Sequence, residues 1–338
     1  STLESFIESS SLLDREVSFE LLMLYLKEEK LDHAIPLIEK LISIDPSDDD
    51  FIFRIALLCF DNERYNLSEK YFNILLSKFY VPDNINFFLG QIDYKNKRYD
   101  EALLHYQRIQ QGTFVNVKTL NVSKALLKKY NLEKALSHID KEIKIKNQDN
   151  LLNSLSLKLS IFEEIGESAD IIRLSSQILE SFPNNERALY SRALAYEKEG
   201  NILSMSKDFD EMIKLNKYNS IALNAYGYSL ALHKLHLDKS EKLIRKALDI
   251  RPGQAAILDS LAWVLYLKGS YKEAAKYSSL AFSKDQDPEI VEHHYLILLK
   301  NGNSNEAKYI LDQSIKNNPN SEKLLKLLDS SENAAIKL

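Results

Sequence analysis

Glycine and proline in this sequence keep step with one another at intervals of about 34 residues. Let units begin at Arg15, Asp49, Asp83, Asn116, Leu152, Glu186, Ser220, Ala255 and Pro288. Gly166, Gly200, Gly269 and Gly302 then all stand at position 15, and Gly90 and Gly227 at position 8. Pro46, Pro183, Pro252 and Pro319 close their units near position 32, once an extra residue in the loop of LALHKLHLDKS is allowed for. Position 15 reads as a tight turn, where a residue without Cβ is free to take a left-handed backbone. Position 32 reads as the end of a helix that proline does not extend. Ala56, Ala193 and Ala262 share position 8, and Ala34, Ala102, Ala135, Ala274 and Ala307 share position 20. Small residues at both positions let two helices approach closely. The chain has only 8 glycines and 7 prolines in 338 residues, against ordinary usage of about 7% and 5%. Six of those glycines sit at these two positions. An all-helical chain of nine helix-turn-helix units follows, each too small to bury its own apolar face and each leaning on the next.

The pattern of small residues at 8 and 20, proline at 32 and about 34 residues per unit resembles the tetratricopeptide repeat. It runs from Arg15 to Ser321. The resemblance implies an all-α, right-handed superhelical solenoid. The domain plan is then an N-terminal capping or docking helix at 1–14, nine repeats at 15–321, and a C-terminal capping helix with a frayed tail at 322–338. In the last of these, Leu324, Leu325 and Leu328 form an apolar stripe, with Lys323 and Lys326 toward water. Pro36 lies inside a second helix and is expected to kink it.

The chemistry of catalysis is missing from the motifs. No phosphate loop, no Gly-x-Ser-x-Gly and no His-Glu-x-x-His occurs, and the glycines already have structural roles. No cofactor is expected. His233 and His236 lie three apart without a supporting acid or thiol, and His293 and His294 are adjacent and point apart, so these read as surface or packing residues. Cys59 at position 11 reads as a small buried hydrophobe, and no intrachain disulfide can form. The acidic run Asp48-Asp49-Asp50 reads as favourable charge at a helix N-terminus. A formal net charge of -5 argues against nucleic acid as a partner. No run of 18 apolar residues spans a membrane.

Protein partners remain. In a tetratricopeptide unit, positions 2, 5, 9 and 12 of the first helix face the concave side. Those positions hold Phe53, Phe87, Gln91, Tyr94, Tyr190, Asn224, Tyr228, Asp259, Trp263 and Tyr266, with Phe19, Phe60 and Glu292 on the same face. Aromatics with a polar edge are good anchors for a bound protein. Trp263, the chain's single tryptophan, stands at position 9, whereas the family more often packs a tryptophan at position 4. The clamp of Lys and Asn by which chaperone-binding members hold a terminal carboxylate needs three consecutive units. Asn121 and Lys124 occur in one unit without companions.

Four stretches go further: FFLGQIDYKNKRYDEALLHYQRI, ALYSRALAYEKEGN, ALNAYGYSLA and AILDSLAWVLYLKGSYKEA, followed by DPEIVEHHYLILLKNGNSNEA. From about residue 50 onward they resemble a bacterial family of outer-membrane-associated tetratricopeptide lipoproteins. It includes the adaptor of a periplasmic carboxy-terminal processing protease that degrades cell-wall hydrolases. The resemblance implies a non-enzymatic adaptor in the periplasm that presents clients to such a protease. Ser1 is not the lipidated cysteine of that family, so a lipid anchor would lie outside this chain. The rival readings are a cytoplasmic scaffold for signalling or secretion machinery, a metal or enzyme centre at His233, and self-assembly through the N-terminal segment.

Overall fold

The computed structural model describes residues 15–111 and 114–335; the segment 1–14 and the last three residues lie outside the described residues. Among the described residues the chain is nineteen α-helices with no strand, as the glycine–proline register requires. Two compact units divide it, residues 1–165 and 166–338. The dividing point falls inside the fifth unit of the sequence ruler, in its helix-to-helix turn.

The first unit holds α1 (Arg15–Lys27), α2 (Leu31–Ile44), α3 (Asp49–Asp61), α4 (Tyr65–Ser77), α5 (Pro82–Lys95), α6 (Tyr99–Arg108), α7 (Val115–Lys129), α8 (Leu132–Glu142) and α9 (Gln148–Ile165). They pack as the hairpins α1/α2, α3/α4, α5/α6 and α7/α8, with α9 against α7 and α8. The second unit holds α10 (Ser168–Ser181), α11 (Glu186–Lys198), α12 (Ile202–Leu215), α13 (Ser220–Leu232), α14 (Leu237–Ile250), α15 (Ala255–Leu267), α16 (Tyr271–Phe282), α17 (Pro288–Lys300), α18 (Ser304–Asn317) and α19 (Glu322–Ala335). Here α11/α12, α13/α14, α15/α16 and α17/α18 are the hairpins. The first helices also touch in sequence: α13 packs on α15, α15 on α17 and α17 on α19. That ladder of first helices gives the second unit one continuous face.

The hairpins close for the reason the sequence gives. Ala34, Ala56, Ala102, Ala135, Ala193, Ala262, Ala274 and Ala307 are all fully buried. At Gly90 an added Cβ would lie 2.5 Å from the Tyr106 ring, and at Gly227 it would lie 2.6 Å from Ile244 Cγ1. Two further units use serine at position 20. Ser68 Oγ donates to the Ala56 carbonyl at 2.9 Å, and Ser240 Oγ donates to the Gly227 carbonyl at 2.6 Å. The hydroxyl thus crosses the hairpin to position 8, staying small while finding a partner for itself in the core.

Position 15 is left-handed in eight units. Four are the glycines, with φ from +71° to +83°, and four are Glu29, Glu63, Lys97 and Lys234, with φ from 53° to 62°. The turn geometry is therefore fixed by the hairpin, and glycine is its least strained occupant rather than a requirement. Helix starts are capped by side chains that accept the amide three residues on: Asp48 from Phe51, Asn131 from Lys134, Asn185 from Ala188, Asn201 from Ser204 and Asn219 from Ala222. Asparagine is a good cap because its short side chain reaches back to the first turn's orphan amides. Helix α2 continues through Pro36.

At the C-terminal end Leu324 is fully buried against α17 and α18, with Leu327 and Leu328 beside it, while Leu325 is exposed. The buried stripe is thus 324, 327 and 328. Residues three and four apart share a helix face, and Leu325, next to Leu324, turns away from it.

Candidate protein-binding site

Helix α13 has two different faces. Leu223, Tyr226, Gly227 and Leu230 are buried, Gly227 against α14. Ile221, Asn224, Ala225, Tyr228 and Leu232 recur at spacings of three and four on the other face and line a cavity of about 410 Å³ with Tyr190 and Leu194 of α11. Ile221 is 56% exposed and Leu232 44%, large apolar side chains left to solvent at the rim. A second cavity of about 340 Å³ adjoins it, lined by Asn224 and Tyr228 of α13, Ala256, Asp259 and Ser260 of α15, and Glu289 and Ile290 of α17, with Asp285 and Asp287 from the preceding loop.

Hydrogen bonds between repeats hold these walls. Asp259 Oδ2 meets His293 Nδ1 at 2.8 Å, and the two side chains are 7% and 5% exposed. One full repeat of 34 residues separates them. The Tyr228 hydroxyl donates to Glu289 Oε1 at 2.7 Å, so α13 reaches past α15 to α17. Burial, reinforced by that carboxylate, pushes the Tyr228 phenol up. Burial also pushes the Asp259 carboxyl above its usual range, against the pull of His293. The Trp263 ring is sandwiched, 4.1 Å from His293 and 5.0 Å from Tyr266 with both pairs near parallel. Trp263 is half-buried, neither sealed in the core nor free.

Three buried polar atoms on this face have no hydrogen-bond partner in the protein: Asn224 Oδ1, Asp259 Oδ1 and Trp263 Nε1. A buried group left unmet costs about 1–3 kcal/mol. Two acceptors and one donor on the first helices α13 and α15 are thus left without partners.

The structure thus brings Tyr190, Asn224, Tyr228 and Asp259 together around two adjoining cavities and sets Trp263 and Tyr266 beside them. The other four residues belong to the first unit and are engaged there. Phe53 packs edge-on to Phe72 and Phe88 at 5.8 and 6.2 Å. Phe87 stacks on Phe114 with ring centroids 3.9 Å apart. Gln91 Nε2 donates to Asn121 Oδ1 at 3.0 Å, and the Tyr94 hydroxyl donates to Glu164 Oε1 at 3.2 Å. Lys124 faces the same Glu164 at 3.4 Å. His293 is the residue that sequence reasoning set aside as packing. Its signal was present: it stands at position 6, one repeat after an acid at position 5.

Among the described residues no three His, Cys, Asp or Glu side chains are placed to hold a metal ion. His233, the sequence candidate for one, has Nε2 at 3.3 Å from Glu197 Oε1. No helix of the described residues is long and apolar enough to cross a membrane.

Comparison with known proteins agrees with the repeat geometry. Tetratricopeptide repeat profiles match residues 16–48 and 53–113. The chain carries tetratricopeptide repeats over those residues. A repeat-containing protein of this kind from Pseudomonas aeruginosa is 26% identical over 211 residues, covering 62% of this chain and 36% of that protein. One from Methanocaldococcus jannaschii is 26% identical over 363 residues, covering 89% of this chain and 63% of that protein. The chain therefore spans just over a third of one curated relative and just under two thirds of the other. Of solved structures, a tetratricopeptide repeat protein from Parabacteroides merdae shares 17% identity, with a TM-score of 0.49 over 83% of this chain and 97% of that one. Tetratricopeptide repeats serve as scaffolds for protein interaction.

Proposed function

We propose that this chain is a non-enzymatic adaptor that holds another protein along the first-helix face of its second unit. The observation that carries the reading is the pair of adjoining cavities on that face, edged by exposed Ile221 and Leu232 and floored by the unpartnered polar atoms of Asn224 and Asp259. Exposed apolar side chains beside polar groups in need of partners are the makings of an interface core and its anchors. The docked enzyme is a carboxy-terminal processing protease, the clients are its substrates, and the site of action is the periplasmic face of the outer membrane. These three statements rest on the family resemblance of the stretches from Phe87 to Ala307. Adaptors of this kind act by raising effective concentration.

A photo-crosslinking amino acid at position 221 tests the face, with position 203 as control. Leu203 lies on the second helix α12, is 69% exposed and lines neither cavity. The expected result in the native cell is a discrete set of proteins captured from 221 and absent from 203, a protease among them. Identical capture from both positions refutes the groove. Fractionation of the native gene product tests the location; a product confined to the cytoplasm refutes it and leaves the binding face intact.

A further inference from the structure

We propose that the 340 Å³ cavity between α13, α15 and α17 receives an arginine side chain presented by an extended segment of the bound protein. This rests on the protein-binding reading above and names the chemistry of its partner.

The Asp and Glu side chains lining the cavity are Asp259, Asp285, Asp287 and Glu289, and no Lys, Arg or His lines it. The basic side chains around them are already engaged or line the other cavity. His293 holds Asp259 Oδ2. Lys323 lies 3.0 Å from Glu292 and 3.8 Å from Glu289, and does not itself line the cavity. Arg251 lines the neighbouring cavity instead. Two of the acids also have local duties, since Asp285 accepts the Asp287 amide and Asp287 accepts the Glu289 amide. What distinguishes the site from an ordinary acidic cluster is Asp259. Its side chain is only 7% exposed, and its Oδ1 has no donor. Asn224 Oδ1, on the preceding first helix and lining the same cavity, is a second unmet acceptor.

A donor that satisfies both must carry several N–H groups, a positive charge and a shape that fits between two helices. A metal ion does not fit, because no three ligating side chains converge. A guanidinium presents five donors in one plane, stacks on aromatic rings and sheds its hydration more readily than an ammonium. Tyr228 lines the same cavity and supplies the ring. A lysine brings a compact, strongly hydrated charge and no plane. The adjoining cavity, with Leu194, Ile221, Ala225 and Leu232, offers an apolar place for the residue beside the arginine.

The test uses the whole 338-residue chain and fluorescein-labelled, end-capped nonapeptides with one central arginine next to a leucine. Matched peptides carry citrulline, lysine or aspartate instead. Citrulline keeps the shape and removes the charge. The readouts are polarisation and the emission of Trp263, the chain's single tryptophan, which stacks on the histidine that Asp259 holds. The expected result is that arginine binds at least about tenfold tighter than citrulline, a difference near 1.4 kcal/mol. Asp259→Asn and, separately, Asn224→Ala each weaken the arginine peptide about tenfold and leave the citrulline peptide nearly unmoved. Asn224→Ala keeps the test valid should Asp259→Asn disturb His293. Equal binding of arginine and citrulline, or no arginine-dependent signal up to about 1 mM peptide, overturns the proposal. A lysine peptide as tight as arginine overturns the guanidinium assignment. Crosslinking from position 221 that captures specific proteins while arginine makes no difference sinks this inference alone; failure of that capture sinks the underlying reading.

Discussion

Adding one methyl group at Gly227 probes how tightly a hairpin of this chain is closed. In Gly227→Ala the new Cβ would lie 2.6 Å from Ile244 Cγ1 and 2.9 Å from the Ser240 carbonyl oxygen. Both are well inside van der Waals contact. The Ile244 side chain is fully buried, and the Ser240 oxygen is backbone, so neither can step aside without moving α14. Overpacking of this kind costs about 1–3 kcal/mol. Opening the hairpin also stretches the 2.6 Å bond from Ser240 Oγ to the Gly227 carbonyl, a loss of about 1 kcal/mol. Against this, alanine in a helix interior gains about 1 kcal/mol over glycine. The last two terms cancel, and the net expectation is destabilisation by about 1–3 kcal/mol. Urea unfolding followed by Trp263 fluorescence measures it, because Trp263 packs against the same apolar cluster as Ile244. A Gly227→Ala chain that unfolds at the same or higher urea, with native emission unchanged, refutes the argument that close approach requires glycine there.

Relieving the left-handed turn works the other way. Lys234→Gly removes backbone strain at φ 53° and is expected to gain about 0.5 kcal/mol, the strain of about 1 kcal/mol less the extra freedom of an unfolded glycine. Lys234→Val, by the same urea measurement, loses at least about 1 kcal/mol. Burial pushes His105, His138 and His294 below the usual histidine range. The unfolded chain then binds protons that the folded chain refuses, so stability holds above about pH 6.5 and falls as pH drops below it. His294→Gln is expected to flatten that fall, measured as urea midpoints from pH 7.5 to 5. Cys59 is fully buried and its thiol is pushed up to about 12 by that burial. An aromatic disulfide reagent is expected to leave it unmodified in the native chain and to titrate one thiol in denaturant; fast native reaction overturns its placement.

The hairpins were legible in the sequence because two rare residue types mark them. Glycine at 15 and proline near 32 set the turns, and alanine at 8 and 20 set the contacts. Ser68 and Ser240 were not read as equivalents of those alanines, since their role depends on a carbonyl across the hairpin. Glu29, Glu63 and Lys97 gave no warning of a left-handed turn, because the hairpin imposes that backbone whatever residue stands there. The inward row of residues was legible as a row and not as a site. Phe53 and Phe88 share their repeat faces with neighbours that fill the space between helices, whereas Tyr228 and Asp259 face cavities. Which of these happens is decided by side chains 34 or 61 residues away, as with Asp259 to His293 and Tyr228 to Glu289. Local periodicity carries no record of that. The division at residues 165 and 166 likewise fell inside a repeat and left no mark in the ruler.

The turns are not alike from end to end. The first three hairpins close on Glu29, Glu63 and Lys97, while Gly200, Gly269 and Gly302 serve three of the later ones. In an array where each hairpin is supported only by those beside it, such differences stay local instead of averaging out. The early hairpins are therefore expected to exchange their amide hydrogens sooner and to loosen first on warming. The hairpins α15/α16 and α17/α18, which wall the second cavity and turn on Gly269 and Gly302, would then stay ordered after the amino-terminal ones have begun to melt.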